Sequence, residues 1–230
     1  MSPFVKFYLF AYNSLQACAW TISLLKILSS VVSSKTIDGA YASAGDLISV
    51  IQTVAVAEVL HGAIGIVPSG ALSPLMQWSG RTHFILAVVR QVKEVQDLPW
   101  LPITLVAWCL GEMIRYPHYA FNCFGRCPFW LIYLRYTAFI VNFPLGLVGE
   151  GEMHDVLLWI MYQALPYIKD RNPYSNFFSN FPFTYYDFLR VGLMIYPFLW
   201  LKLYLHMVRQ RKAKLGRSDH DKHEGKRKRM

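Results

Sequence analysis

The sequence predicts an all-α fold, a polytopic membrane helix bundle of about six transmembrane helices, and three observations carry that prediction. Apolar residues make up 54% of the 230-residue chain and charged residues only 16%, against about 25% charged in an ordinary soluble domain. The apolar residues are gathered into long blocks, several of them near the ~20 residues that a spanning helix needs. The net charge of +9 also sits at one end. From Arg209 onward ten Lys/Arg face only Asp219, Asp221 and Glu224, a net of +7, which leaves residues 1–208 at +2. That tail has no aromatic residue after Gly216, so it lacks the aromatic interleaving of a nucleic-acid surface, and no nucleic-acid partner is expected. A polybasic segment just outside a span sets topology or touches anionic membrane lipid.

The elements follow in order. Residues 4–27 form the first candidate span, roughened by Asn13, Gln16 and Lys26. With no basic n-region and no small-residue cleavage site ahead of or behind it, this block reads as an anchor rather than a cleaved signal. Residues 47–67 form the second span and contain Glu58 and His61. The third, 84–95, holds Arg90 and Lys93 and crosses only if it starts near Leu75. The fourth, 98–121, has Pro99 and Pro102 at its first turn, where proline is tolerated. Residues 129–148 and 188–208 are the fifth and sixth.

Between those last two lies an apolar block, 156–168, that is too short to cross and is interrupted by Pro166. It is expected to be interfacial or re-entrant. "RNPYSNFFSNFPF", residues 171–183, reads as an ordered loop whose rings settle among the lipid headgroups. The chain thus divides into a membrane domain, 1–208, and a basic tail, 209–230, whose Lys/Arg hold the C-terminus in the cytosol. The ending "KRKRM" places Lys226 and Lys228 as in a K-x-K-x-x retrieval signal of the endoplasmic reticulum. No repeat of transporter type is present to support a channel or transporter reading. Cys18 and Cys109 lie in apolar runs, and Cys123-x3-Cys127 lacks a second ligand pair, so neither a disulfide framework nor zinc is expected.

Ionisable groups inside spans are costly, ~2.5–3.5 kcal/mol at the centre, and each therefore raises a functional question. Lys26, Lys93 and Lys202 are close enough to span ends to snorkel. The fourth span is different: in "WCLGEMIRYPHYAF", Glu112, Arg115, Tyr116 and Tyr119 fall at i, i+3, i+4 and i+7 and share one face. This stripe turns to the bundle interior, either to lock helices together or to take part in chemistry. In the fifth span Tyr136, Phe143 and Glu150 recur every seven residues, with Arg135 beside the first. Pro144 and Gly146 break regularity just before Glu150, freeing backbone groups. Glu58 and His61 make a third pair, more in keeping with a structural contact than with a metal site.

Two enzyme templates fail. "HGAIGIVP" outlines the H-C-x5-R phosphatase loop, but Gly62 replaces its cysteine and Pro68 its arginine, so both nucleophile and phosphate clamp are absent. No phosphate-binding Gly-rich loop, nucleophile elbow or zinc-protease motif occurs.

Three blocks, "EVLHGAIGIVPSG", "WCLGEMIRYPHYAF" and "LRYTAFIVNFPLGLVGE", resemble the signature blocks of the very-long-chain (3R)-3-hydroxyacyl-CoA dehydratases. This is the PASTICCINO 2 type, once called protein tyrosine phosphatase-like. The resemblance runs through residues 8–212 in family order. It implies a six-span protein of the endoplasmic reticulum membrane, a carbon–oxygen lyase of fatty-acid elongation that converts 3-hydroxyacyl-CoA to trans-2-enoyl-CoA. It further implies acyl-CoA as substrate, and as partners the condensing enzyme and the ketoacyl and enoyl reductases of the cycle, with no cofactor.

Dehydration removes a weakly acidic C2 proton and expels hydroxide from C3, which calls for a base and an acid held together. A hydrogen-bond donor to the thioester carbonyl stabilises the enolate-like charge. The family pattern Y-P-x-G-x-x-x-E supplies a tyrosine and a glutamate; here it reads F-P-L-G-L-V-G-E. Glu150 matches the glutamate, while Phe143 occupies the tyrosine position and brings no O–H. Arg135, Tyr136, Glu112, Arg115, Tyr116 and Tyr119 are the expected supporting residues, the three tyrosines being stand-in donors. Tyr136 lies about 10 Å along the axis from Phe143, too far to replace it without movement. The alternative that Phe143 raises is a catalytically impaired homologue, a binding or regulatory subunit of the elongase complex.

Overall fold

α1 (Pro3–Ser34) begins where Ser2 Oγ accepts the Val5 N–H at 3.3 Å and Pro3 takes the first helical position, where its missing N–H costs nothing. It stops at Lys35, whose φ of 56° is left-handed. The computed structural model describes residues 1–37, 39–68, 70–145 and 156–227, the side chains of 138–145, 156, 200, 203, 206 and 212–227 excepted. Among the described residues every regular element is helical.

α2 (Ala40–Val54) and α3 (Val56–Ala63) are separated only at Ala55, which keeps right-handed helical angles. The chain then turns at Gly65, φ +74°. Gly62 is where the returning loop presses closest: a Cβ there would meet the Gly70 carbonyl oxygen at 2.3 Å.

α4 (Leu72–Thr82) runs straight into a wider π-helical stretch, His83–Val89. This corrects the predicted third span. The helical path occupies 72–89, and Arg90 and Lys93 lie beyond its end, not inside it. Arg90 there pairs with Asp46 at 3.6 Å. After a single turn at Lys93–Val95, α5 (Trp100–Asn122) starts from Pro99 with Pro102 in its first turn, as predicted. α6 is Phe129–Leu145; the end of the predicted fifth span, 146–148, lies outside the described residues.

The short apolar block forms α7 (Val156–Arg171), continuous through Pro166. The aromatic loop contains the short α8 (Ser175–Phe178), around which Phe178, Phe181, Phe183 and Tyr185 gather. α9 (Tyr185–Arg227) crosses the expected domain boundary at Val208 as unbroken helix.

α5 lies at the centre, packed by α1, α2, α6 and α7. Its Leu101 and Leu105 are fully buried with Trp20, Ile48, Phe84 and Ile160. The molecule also partitions its residues inside out. Asn13, Gln16, Gln52 and Glu112 are buried, while Phe4, Val32 and Phe198 are 82%, 76% and 75% exposed. Water would punish such a surface, whereas hydrocarbon would not. Two helical stretches among the described residues, Pro3–Ser34 and Ala40–Ala63, are long and apolar enough to cross a membrane.

Candidate functional site

The helical spacing of α5 places Glu112, Arg115, Tyr116 and Tyr119 along one stripe, and α1, α3, α4 and α6 all reach it. Glu112 is 1% exposed. Its Oε2 accepts from Arg115 Nε at 2.5 Å, and its Oε1 from Gln77 Nε2 at 3.4 Å and from Arg81 of α4. Arg115 reaches on to Glu58 of α3 with both terminal nitrogens, Nη1 to Oε2 at 2.5 Å and Nη2 to Oε1 at 3.0 Å. Tyr116 donates to the same Glu58 Oε1 at 2.5 Å. Two carboxylates thus neutralise two guanidiniums in one chain, Glu58–Arg115–Glu112–Arg81. Charge-assisted forks of this kind are among the strongest polar contacts a low-dielectric interior offers.

Aromatic rings seal the chain. Arg115 lies over Tyr116 and Tyr119, 4.4 Å and 5.6 Å from their centroids, and Arg81 lies 4.9 Å over Trp108. From α1, Tyr12 meets Tyr116 edge-on at 6.4 Å and receives Gln16 Nε2 at 3.3 Å. A cavity of about 10 Å³ abuts Glu58, Arg81 and Arg115, near the smallest volume that holds one water.

α6 presents a sparser face. Arg135 donates to Tyr119 Oη at 3.4 Å and lies 5.8 Å from its centroid, so Tyr119 stands between two guanidiniums. Tyr136 meets His118 edge-on at 6.0 Å. Two turns further along α6 comes Phe143, in helix but with its side chain outside what is described. Glu150 lies outside the described residues altogether.

Of the expected site residues, the structure therefore joins Glu112, Arg115, Tyr116, Tyr119 and Arg135 through direct contacts and sets Tyr136 beside them through His118. Sequence reasoning missed two members. Arg81 went unremarked, although a cation within the possible start of a span was a usable signal. Glu58 was noticed, but beside His61; in the structure the two turn to different partners, His61 Nε2 lying 2.9 Å from Tyr8 Oη while Glu58 takes Arg115 and Tyr116. Among the described residues no cluster of three or more His, Cys, Asp or Glu side chains is placed to hold a metal ion.

Residues 52–217, which contain all three signature blocks and all four members of the charge chain, match the family model "Protein tyrosine phosphatase-like protein, PTPLA". The chain belongs to that family. Its curated relatives cover nearly the whole chain. It is 33% identical over 223 residues to the human very-long-chain (3R)-3-hydroxyacyl-CoA dehydratase 2, 96% of this chain and 85% of the relative. It is 31% identical over 207 residues to dehydratase 1 of Canis lupus familiaris, 89% of this chain and 80% of that one. With PASTICCINO 2 of Arabidopsis thaliana it shares 28% over 215 residues, 92% and 94%. No solved structure matches the chain. Within the PTPLA family, then, three of the four members of the charge chain, Glu58, Glu112 and Arg115, come from the quoted blocks, and Arg81 lies between two of them.

Proposed function

We propose that this PTPLA-family chain is a very-long-chain (3R)-3-hydroxyacyl-CoA dehydratase, a carbon–oxygen lyase that removes water to give trans-2-enoyl-CoA in fatty-acid elongation. The observation that carries this reading is the extent of the match: 33% identity over 96% of the chain to a protein of that name. Glu150 is the reacting carboxylate, and position 143, where this chain carries Phe, is the pattern's second position. Arg135, Tyr136, Glu112, Arg115, Tyr116 and Tyr119 support them. The paired charges of α5 suit an interior reaction, because they hold a fixed polar surface without net charge where an acyl chain enters from lipid.

The setting follows from the same reading: a six-span protein of the endoplasmic reticulum membrane with residues 209–230 as a cytosolic tail. Its partners there are the condensing enzyme and the two reductases of the cycle. The outward apolar surface and the di-lysine-like ending favour this placement, and glycosylation tags in each loop test the number of crossings. The reading as a binding subunit is less well supported, since relatives across the full length are named as dehydratases.

The deciding experiment supplies a long-chain 3-hydroxyacyl-CoA to microsomes lacking their own dehydratase and carrying either the native chain or Phe143→Tyr. Enoyl-CoA from the native chain is the expected result. Product from Phe143→Tyr alone would return the chain to a binding or regulatory role. Product from neither would end the dehydratase reading.

A further inference from the structure

Toward the C-terminal end of α1, that helix and α2 frame a groove that the dehydration does not use. Between Lys6 and Lys26, α1 carries no charged side chain. That separation, twenty residues, spans about 30 Å at 1.5 Å per residue, the thickness of the hydrocarbon layer. Lys26 therefore marks the level at which α1 passes from acyl chains to headgroups, and the helix runs on for two more turns to Ser34. The groove straddles that level. Its volume is about 470 Å³, within the range of small-molecule sites. Ile22 and Leu25 line it on the hydrocarbon side, Lys26 lines it at the boundary, and Ser29, Ser30 and Ser33 follow beyond, with Ser43 of α2 among them.

The polar side chains of this lining are uncommitted. Lys26 is exposed, and none of the ion pairs among the described residues includes it. Arg90, by contrast, is answered by Asp46 of α2 at 3.6 Å. The hydroxyls divide in the same way. In α1, Thr21, Ser23 and Ser34 each return their proton to the carbonyl one turn back, at 2.8 Å, 2.9 Å and 2.8 Å. Ser29, Ser30 and Ser33 make no such bond among the described residues, which leaves three donors in the groove beside one ammonium. Ile22 and Leu25 are 50% and 60% exposed, as side chains laid against lipid can be without cost. No described residue of the lining is acidic.

We propose that this groove between α1 and α2 is a binding site for an anionic phospholipid. The Lys26 ammonium and the hydroxyls of Ser29, Ser30 and Ser33 take the phosphate, and Ile22 and Leu25 flank the first methylenes of an acyl chain. Charge selects the headgroup. A phosphate is recognised by a cation and hydrogen-bond donors, which this lining supplies. The amine of a zwitterionic headgroup would want a carboxylate, and the described lining has none. The apolar half selects a lipid over free phosphate, which could use only the outer part of the groove. Such a site requires the membrane setting but not the dehydratase reading, so its failure would leave that reading untouched.

The test places the full chain in phosphatidylcholine vesicles that carry a trace of phosphatidylserine or phosphatidylcholine, spin-labelled on the acyl chain. The motionally restricted fraction of each label gives the preference of the protein for one lipid over the other. The native chain is expected to favour phosphatidylserine. Lys26→Gln should cut that preference about fivefold, the worth of one lysine at an anionic surface, while Lys26→Arg retains it. Ser29→Ala combined with Ser33→Ala should lower it by a smaller factor, because the charge remains. Lys202→Gln, in another span, should leave it native, and every variant should keep the native unfolding temperature. A native preference in Lys26→Gln overturns the proposal. An equal loss in Lys202→Gln overturns it too, since anionic lipid would then be drawn to cations in general. So does abolition of the preference by millimolar inorganic phosphate at constant ionic strength, which would make the groove a free-anion site.

Discussion

Among the described residues, the charges of the α5 stripe are paired throughout, while Arg135 on α6 has a weaker partner. On α5 each charge has an opposite charge in contact: Glu112 meets Arg81 and Arg115, and Arg115 meets Glu58. On α6, Arg135 reaches only a phenol oxygen at 3.4 Å and meets no carboxylate among the described residues. A saturated network resists rearrangement and fixes helices in place, while a cation left with a weak neutral acceptor has capacity to spare for a ligand. On the dehydratase reading proposed above, the difference makes α5 the constructional stripe and leaves Arg135 of α6 to meet the substrate.

The sharpest way to break this comparison is Glu112→Ala. It leaves Arg81 and Arg115, which are only partly exposed at 22% and 11%, with one carboxylate for two cations. Removing one partner from a buried pair costs about 3–5 kcal/mol, a large part of a typical total stability of roughly 5–15 kcal/mol. The expected outcome in detergent is a strongly lowered unfolding temperature, with turnover lost along with the fold. A Glu112→Ala chain that melted like the native one would show that α5 is not the structural member of the two.

Arg135→Gln probes the other stripe. The hydrogen bond it removes is worth about 1 kcal/mol net or less at its length, so the unfolding temperature should barely move. If Arg135 receives the substrate, KM rises on the order of tenfold, the equivalent of about 1.4 kcal/mol, while kcat changes less. An unchanged KM would leave α6 without the receptive role that its unsaturated face argues for.

How far the sequence foretold this contrast is instructive. Spacing alone put Glu112, Arg115, Tyr116 and Tyr119 on one face, because helical periodicity is local and needs no knowledge of neighbours. What it withheld was the partners. Arg81 lies 31 residues in sequence from its contact Glu112, and Glu58 lies 57 from its contact Arg115, and no local rule chooses among distant carboxylates and guanidiniums. The third span was misplaced for a related reason. Arg90 and Lys93 were weighed as interior charges, whereas the π-helical turns at His83–Val89 end the helix before either. Helix α9 outran its predicted end at Val208 because the basic residues that mark a membrane boundary are also good helix formers. The spacing of Phe143 and Glu150 was legible in the sequence, but the roles proposed for those positions came only through resemblance.

The smallest effect lies outside both stripes, at the start of α9, and sharpens the comparison by showing what a purely local element does. Thr184 and Asp187 form a reciprocal cap: Asp187 Oδ2 accepts the Thr184 N–H at 3.0 Å and its hydroxyl at 2.7 Å, while Thr184 Oγ1 accepts the Asp187 N–H at 3.3 Å. Such a box satisfies helix-end donors from within the turn itself. Those bonds, led by the backbone one, hold the Asp187 carboxyl below its ordinary value. A depressed carboxyl stabilises the fold fully above the unfolded aspartate range near about 4, and the contribution is lost as pH falls through the lower folded value. Asp187→Asn should therefore lower the unfolding temperature slightly at pH 7, and the gap from the native chain should shrink as pH drops below about 4. Turnover and KM at pH 7 should stay native, since neither stripe is touched. If Asp187→Asn instead depressed turnover, the start of α9 would belong to the reacting interior, and the division between a building stripe and a receiving one would need a third member.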